Sequence, residues 1–480
     1  MNDLHGVVLP STEHLRSALV QARVRGLGLM GYRRARTGAG RHFTRLGERH
    51  AGASVPKHRT RAAQVMSVVA TASVREPAAP SRQSLLALSW LNFFLACVQA
   101  AFGPIAAAYL AAQHWTTQDI GFVLSIGGIF SLVSQVPGGE LLDAVRAKRL
   151  LVGAGVVTVA LSILILRLSP IFPLVALAEA LQGITGGVLG MGVIAITLGL
   201  VGHDALAERL GYNQRFAAAG GVVVTLTMAL IAYSGSPLAM FVPVVLAVPL
   251  LVALTLIRSK EIDFERASGA DRQPSEGPKR SERAAVLLRN RRLMIFAVCM
   301  VLFQLANASM LPLAGDLLAY AGGRKNAPIL AALIIVPQVI VALLAPWVGR
   351  QAERHGRKPL LLVGLAALPI RAVLFAVTSN PFALTVIQVL DGITGAVLGV
   401  MTALVIADVT KGTGRFNLAQ GVFGTIMGVG ASLSTTLSGL IVYHFGRSAG
   451  FVSQAGQTLV ALVTLRAFLP ETKEKFSSWT

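Results

Sequence analysis

The sequence predicts an all-α membrane protein with twelve transmembrane helices, arranged as two pseudo-symmetric six-helix bundles. Three observations carry this. First, 54% of the 480 residues are hydrophobic and only 14% charged, with a mean hydropathy of +0.65. Soluble domains are about 45–50% apolar and about 25% charged. Second, from Leu85 onward, apolar runs of bilayer-spanning length, about 20 residues, alternate with short polar breaks. Third, the second half of the chain repeats motifs of the first.

The first six runs cover 86–112, 117–139, 148–168, 172–200, 211–233 and 237–257. The second six cover 293–320, 327–348, 359–377, 382–408, 416–444 and 450–469. Backbone groups in lipid must be satisfied internally, and the alternating pattern of a β-barrel is absent, so each run is a helix. The abundant glycine (48 residues) suits close helix packing in a bilayer. Cys97 and Cys299 both lie inside apolar runs, which excludes a disulfide scaffold.

Charge orients the helices. Alternate connections carry Lys/Arg counts of 3 (146–149), 2 (209–215), 10 (258–292), 4 (350–358) and 2 (411–415). The opposite set carries only Arg167, Arg324, Lys325 and Arg447. Positive loops stay cytoplasmic, so both termini are expected on the cytoplasmic side of the plasma (inner) membrane.

The formal charge of +21 does not indicate a nucleic-acid partner, because 14 Lys/Arg against 4 Asp/Glu sit in residues 1–85 and most of the rest in short loops. That basic extension has no long apolar run, so it is not expected to be a signal peptide. Two readings of it stay open: a start codon assigned too far upstream, with Met66 the true start, or a disordered tail. The organisation expected is therefore tail 1–85, bundle 86–257, linker 258–292, bundle 293–469 and cytoplasmic tail 470–480. The linker, charged and rich in Ser, Gly and Pro, reads as flexible.

The repeat is read from four matches in order. "LQGITGGVLGMG" (181–192) returns as "LDGITGAVLGVM" (390–401), and "GGELLDAVRAKR" (138–149) as "VGRQAERHGRKP" (348–359). Gln99-x4-Pro104 corresponds to Asn307-x4-Pro312, and "NQRFAAAG" (213–220) to "NLAQGVFG" (417–424). The second loop, with Gly349, Glu353, Arg354, Gly356, Arg357 and Lys358, fits G-x3-[DE]-[RK]-x-G-[RK]-[RK].

With two six-helix halves and this loop between the second and third spans of each, residues 86–470 resemble the major facilitator superfamily of transporters. The resemblance implies that the loop carboxylates lock the cytoplasmic ends together while a cavity opens outward. An anion is favoured at a helix N-terminus, so repeat symmetry pairs Asp143 with the helix start at Asn417, and Glu353 with Asn213. Lys148, Arg149, Arg357 and Lys358 are expected to anchor the loops at the anionic inner leaflet. The alternative is that these basic residues only enforce topology. The first loop keeps Gly139 and Asp143 but has Ala144 and Arg146 where a basic residue and glycine are expected, so the second copy should carry more of the lock.

Charges inside spans are rare and usually functional, and three stand out: Glu179, Arg371 and Asp391. Arg371 and Asp391 lie within about 5 Å of the same depth on adjacent helices, so a fixed ion pair is one reading. The other places Asp391 and Glu179 on a cavity wall. The resemblance makes the first, fourth, seventh and tenth helices line that cavity, and they carry Asn92 and Gln99; Glu179 and Gln182; Gln304 and Asn307; Gln388 and Asp391. Gly103-Pro104 and Leu311-Pro312 are expected to interrupt two of these helices.

Relatives that expel drugs against protons typically carry an Arg four residues before the fourth-helix glycine, where Glu179 stands here. They also carry G-P-x-x-G-G in the fifth, which is absent from "AAAGGVVVTLTMALIAY". That type of efflux is disfavoured. The functional expectation is secondary active transport of a small solute by alternating access, with protons as a candidate coupling ion. A transporter-like sensor or scaffold that binds without transport is the alternative. An enzyme is not expected, because His114, His203, His355 and His444 stand singly at helix ends. No cofactor and no metal is expected. The partners expected are the solute, protons and the lipid bilayer, with the chain a monomer.

Overall fold

The computed structural model describes residues 79–234, 241–270, 290–322 and 327–472. Most of the basic tail, the linker from 271 to 289, Arg324, Lys325 and residues 473–480 lie outside the described residues.

Twelve helical spans follow the expected order. They are α1 (Arg82–Ala112), α2 (Thr117–Ala144), α3 (Lys148–Leu168), α4 (Phe172–Val201), α5 (Leu206–Ser234) and α6 (Val242–Leu256). Then come α7 in two pieces (Arg291–Asn307 and Met310–Gly322), α8 (Ala327–His355), α9 (Lys358–Val377), α10 (Pro381–Thr410), α11 (Phe416–Phe445) and α12 (Arg447–Phe468). Among the described residues, 10 helices are long and apolar enough to cross a membrane, and no strand is formed. The two others are α6, at 15 residues, and α12, which carries Ser453, Gln454, Gln457 and Thr458 in its middle.

One core joins α1–α6 through residues such as Leu88, Leu91, Val156, Val175 and Leu250. A second lies in α7–α12, around Phe296, Met300, Leu361, Met401 and Phe423, and takes in Leu206, Ala207 and Leu210 of α5. Between the halves, α5 packs on α8 and α2 on α11.

Glycines make those crossings possible. A Cβ on Gly139 would collide with the carbonyl of Asn417, and one on Gly349 with that of Ala207. Gly421 sits on the Gln135 carbonyl as Gly211 sits on that of Ala345. Only a residue without a side chain lets two backbones approach this closely. All four glycines and their partners are related by an offset of 210, so this is the register of the duplication. It corrects the match of "NQRFAAAG" to "NLAQGVFG" at an offset of 204. The structural counterpart of Asn417 is Ala207, in the first turn of α5, and Asn213 lies more than a turn further along.

Two further expectations change. Of the helices bearing Gly-Pro or Leu-Pro, α1 is continuous and only α7 breaks, at Ala308–Ser309. Proline lacks an N–H, and Pro312 stands in the first turn of the second piece, where that N–H would have no intrahelical acceptor, whereas Pro104 is carried inside the unbroken α1. A buried polar knot covers the break. Ser309 N donates to Ser434 Oγ at 3.1 Å, and Gln454 Nε2 donates to Ser309 Oγ at 2.8 Å.

The first part of the linker is ordered rather than flexible. Residues 258–270 form a strap with a 3-10 turn (Ser259–Glu261) and a one-turn helix (Phe264–Ala267). Its apolar residues explain why. Ala267 is fully buried, and a Cβ on Gly199 of α4 would touch both Ala267 and Ile262. Asp263 N also donates to the Gly199 carbonyl at 3.1 Å.

Candidate functional site

Two groups of residues stand out. One is at the face that carries the basic loops, and the other lies inside the spans.

At the basic face, Asp143 ends α2 and meets the first turn of α11. Its carboxylate accepts from Asn417 N at 3.2 Å, Asn417 Nδ2 at 2.7 Å and Leu418 N at 2.9 Å. The first N–H groups of a helix have no intrahelical acceptor, and the dipole adds positive charge there, so a carboxylate satisfies both. The strap closes over this contact. Asn417 Nδ2 donates to Ala267 O at 3.0 Å, Phe416 N to Ser268 O at 3.1 Å and Ser268 Oγ to Asp143 O at 3.4 Å. The strap therefore touches α2 and α4 of one half and α11 of the other.

Lys148 and Arg357 do not reach lipid, contrary to expectation, being 1% and 4% exposed. Lys148 Nζ donates to Leu142 O at 2.5 Å and Ser268 Oγ at 3.2 Å and lies 4.7 Å from the centre of the Phe264 ring. Arg149 donates to Ser259 Oγ and to Thr255 O. Both residues thus fasten the strap.

The second loop works within its own half. Arg357 Nε donates to Asp408 of α10 at 2.9 Å, Nη1 to Ala352 O at 2.7 Å and Nη2 to Glu353 at 3.5 Å. Glu471 caps α9, accepting from Arg357 N at 2.8 Å and Lys358 N at 3.1 Å. Gly356, at φ 91°, turns the chain beside that carboxylate, in the left-handed region that favours glycine. Lys358 Nζ donates to Arg466 O at 2.9 Å, and Arg354 is exposed. Asn213 donates to Thr197 Oγ1 at 2.9 Å, and Gly349 lies against Ala207 and Glu208, so the partner expected for Glu353 was placed too far along α5.

Inside the spans, Arg371 joins three helices. Its Nη1 is 2.5 Å from Asp391 Oδ1 of α10 and 2.9 Å from Asn307 Oδ1 of α7, and its guanidinium lies 5.3 Å from the Phe375 ring centre. The arginine is 1% exposed, whereas the Asp391 side chain is 25% exposed. The pair and the accessible carboxylate therefore coexist.

The other intramembrane candidates are more dispersed. Gln388, fully buried, donates to Leu333 O of α8 at 2.9 Å. Its repeat partner Glu179 is also buried and packs against Gly127 of α2, with no hydrogen-bond partner for Oε1 among the described residues. Gln182 Oε1 is likewise unpartnered. Asn92 donates to Leu88 O at 2.8 Å in its own helix, Gln99 is exposed and Gln304 is half-buried. Asp408, Glu471 and Ser268 were missed. Asp408 had a sequence signal, being a carboxylate at the basic end of a span, but Glu471 and Ser268 sit in a tail and a linker with none.

The chain belongs to the Major Facilitator Superfamily, whose family model matches residues 88–350 and again 326–478. It is 37% identical over 388 residues to an uncharacterized MFS-type transporter of Mycobacterium tuberculosis (strain H37Rv), covering 80% of this chain and 93% of that one. A shorter match, 32% identical over 145 residues, links 30% of this chain to 35% of the class B tetracycline resistance protein of Escherichia coli. Among solved structures, the proton:xylose symporter XylE superposes with a TM-score of 0.63 at 16% identity, covering 82% of this chain and 96% of that one. The E. coli fucose:proton symporter FucP gives 0.63 at 15%, covering 80% and 97%. The chain is thus a membrane transporter of this superfamily, and its relatives are transporters rather than enzymes.

Proposed function

We propose that the protein is a secondary active transporter that moves a small solute by alternating access, rocking residues 86–257 against 293–469. The observation that carries this is the Asp143 contact. It joins the two halves through hydrogen bonds to one helix end, and a rigid-body rotation opening the basic face must break it. With the basic loops on the cytoplasmic side of the plasma membrane, both termini are cytoplasmic and this conformation is closed inward.

The Asn307–Arg371–Asp391 cluster supports a solute or proton site in the second half. Protonating Asp391 would release the Arg371 guanidinium, and a cargo carboxylate or hydroxyl would compete for the same donor. Glu179 supplies a second buried carboxyl in the first half, with an oxygen free to accept. This reading makes protons the coupling ion and the chain a self-sufficient monomer.

Proteoliposome flux with and without a pH gradient, over a panel of small acids, sugars and drugs, tests it. The expected result is gradient-dependent movement of at least one solute, weakened in Asp391→Asn and Glu179→Gln. Binding of a solute without flux would make the protein a sensor. Unchanged flux in both variants would remove the site.

A further inference from the structure

The N-terminal ends of α3 and α9 are repeat partners, and they are occupied differently. On α9, the Glu471 carboxylate accepts from Arg357 N at 2.8 Å and Lys358 N at 3.1 Å. On α3 the N-cap is Ala147, which has no side chain to cap the helix, and Lys148 N donates to the Arg146 carbonyl at 3.0 Å in place of a carboxylate. Two arginines stand at that end instead. Arg146 is exposed, 5.6 Å from the Phe264 ring centre, and Arg149 keeps a buried Nε without an acceptor. Among the described residues, one repeat sets a carboxylate on the backbone N–H groups of this helix end, and the other sets two arginines beside it.

Behind this cationic mouth runs a groove of about 640 Å³ between α3 and α6. Leu150, Gly153, Ala154, Val157, Leu251 and Leu254 line it, and Ser259 and Ile262 of the strap close one end. Leu150 and Val157 are 77% and 54% exposed, so this is a lipid-facing side of the bundle. The repeat-related helices α9 and α12 pack against each other far more extensively than α3 and α6 do. The α9–α12 seam is therefore the tighter of the two.

We propose that this groove binds an acidic phospholipid. The phosphate would sit at the start of α3 between Arg146 and Arg149, where Glu471 sits on α9, and an acyl chain would lie along α3 and α6. The occupant follows from complementarity. A headgroup anion meets two cations at the positive end of a helix dipole, and a hydrocarbon chain meets apolar walls at bilayer depth. A free phosphate would use the mouth and leave the groove unexplained.

Native mass spectrometry of the full chain, purified from mixed phosphatidylglycerol and phosphatidylcholine bilayers, tests this. The expected result is selective retention of phosphatidylglycerol, weakened about tenfold or more in Arg146→Gln/Arg149→Gln. Because Arg149 also holds the strap, Ala154→Phe provides the second variant. It fills the groove from an exposed position, changes no charge, and should lose the lipid equally while keeping the wild-type circular dichroism spectrum. Equal retention of the two lipids, or phosphatidylglycerol retained by Ala154→Phe, overturns the proposal. So does inorganic phosphate raising the melting temperature of lipid-free protein as much as phosphatidylglycerol micelles do, with Ala154→Phe leaving both gains intact.

Discussion

The two loop motifs descend from one repeat and do different work. The first, around Asp143, reaches across the molecule to α11 and is covered by the strap. The second, around Arg357, gathers Glu353 and Asp408 around one buried guanidinium that ties α8, α9 and α10 of a single bundle, with Glu471 on the Arg357 backbone N–H. The copy that departs from the motif makes the inter-half bonds, so losing the basic residue at Ala144 and the glycine at Arg146 did not abolish the latch. What replaced them is the linker: Ser268 and Phe264 take up Lys148, the residue equivalent to Lys358. Duplicated elements keep backbone geometry, held by glycine contacts at fixed offset, more strictly than they keep side-chain networks.

The comparison gives graded predictions. Arg357→Ala should have the largest effect on stability. It leaves Asp408 buried without its cation, a change that costs about 3–5 kcal/mol for buried pairs. Chemical denaturation in detergent should show that loss. Lys148→Met, which breaks hydrogen bonds to a carbonyl and a hydroxyl and the cation contact with Phe264, should cost about 1–3 kcal/mol, and an equal loss in the two variants would erase the distinction.

Asp143→Asn should come next, with a different signature. It weakens charge-assisted bonds to Asn417 and Leu418 by about 1.5–3 kcal/mol, favouring forms open at the basic face by roughly tenfold or more. Alkylation of a cysteine placed at Leu418 should speed up accordingly, while the melting temperature moves little.

Glycine substitutions separate contact from mere presence. Gly139→Val should disrupt the α2–α11 crossing and lower the yield of folded protein, whereas Gly186→Ala, with nothing within 4 Å of its added Cβ, should be tolerated. Size-exclusion profiles of the two variants distinguish these outcomes.

The smallest effect is on pH. Burial pushes the Glu261 carboxyl up, but hydrogen bonds from Ser81 and Ser84 and the Arg258 charge outweigh it, holding the carboxyl below the ordinary carboxylate range. A depressed carboxyl stabilises above its unfolded value, and the gain is lost as pH falls through the folded one. Wild type should therefore lose its slight advantage over Glu261→Gln on acidification below about pH 4, seen as converging melting temperatures.

Much of the fold was legible because lipid imposes a length and a composition on every span. The ends of α3, α4 and α9 fell within a residue or two of expectation. The Asp143–Asn417 contact was legible too, since a carboxylate at one helix end and a helix start are both marked in sequence. Asn213 misled because a shared Asn-x-x-x run looks like register, while the real register is held by Gly349 against Ala207, a backbone contact with no letter pattern. The strap was hidden in a charged stretch where Ile262 and Phe264 are outnumbered, and Glu471 is 113 residues from the backbone N–H of Lys358 that it caps. Arg371 and Asp391 could be matched in depth from sequence, but Asn307 as the third member could not.

Distances between spin-label pairs at the two ends of α2 and α11 test the central claim most directly. One pair would sit at Ala144 and Thr413 on the basic face, and the other at Gln118 and His444 on the opposite face. The account predicts that Asp143→Asn adds a longer distance at the first pair and a shorter one at the second, in matched proportion. A single unchanged distance at both pairs, or both pairs lengthening together, would contradict rocking about a latched interface.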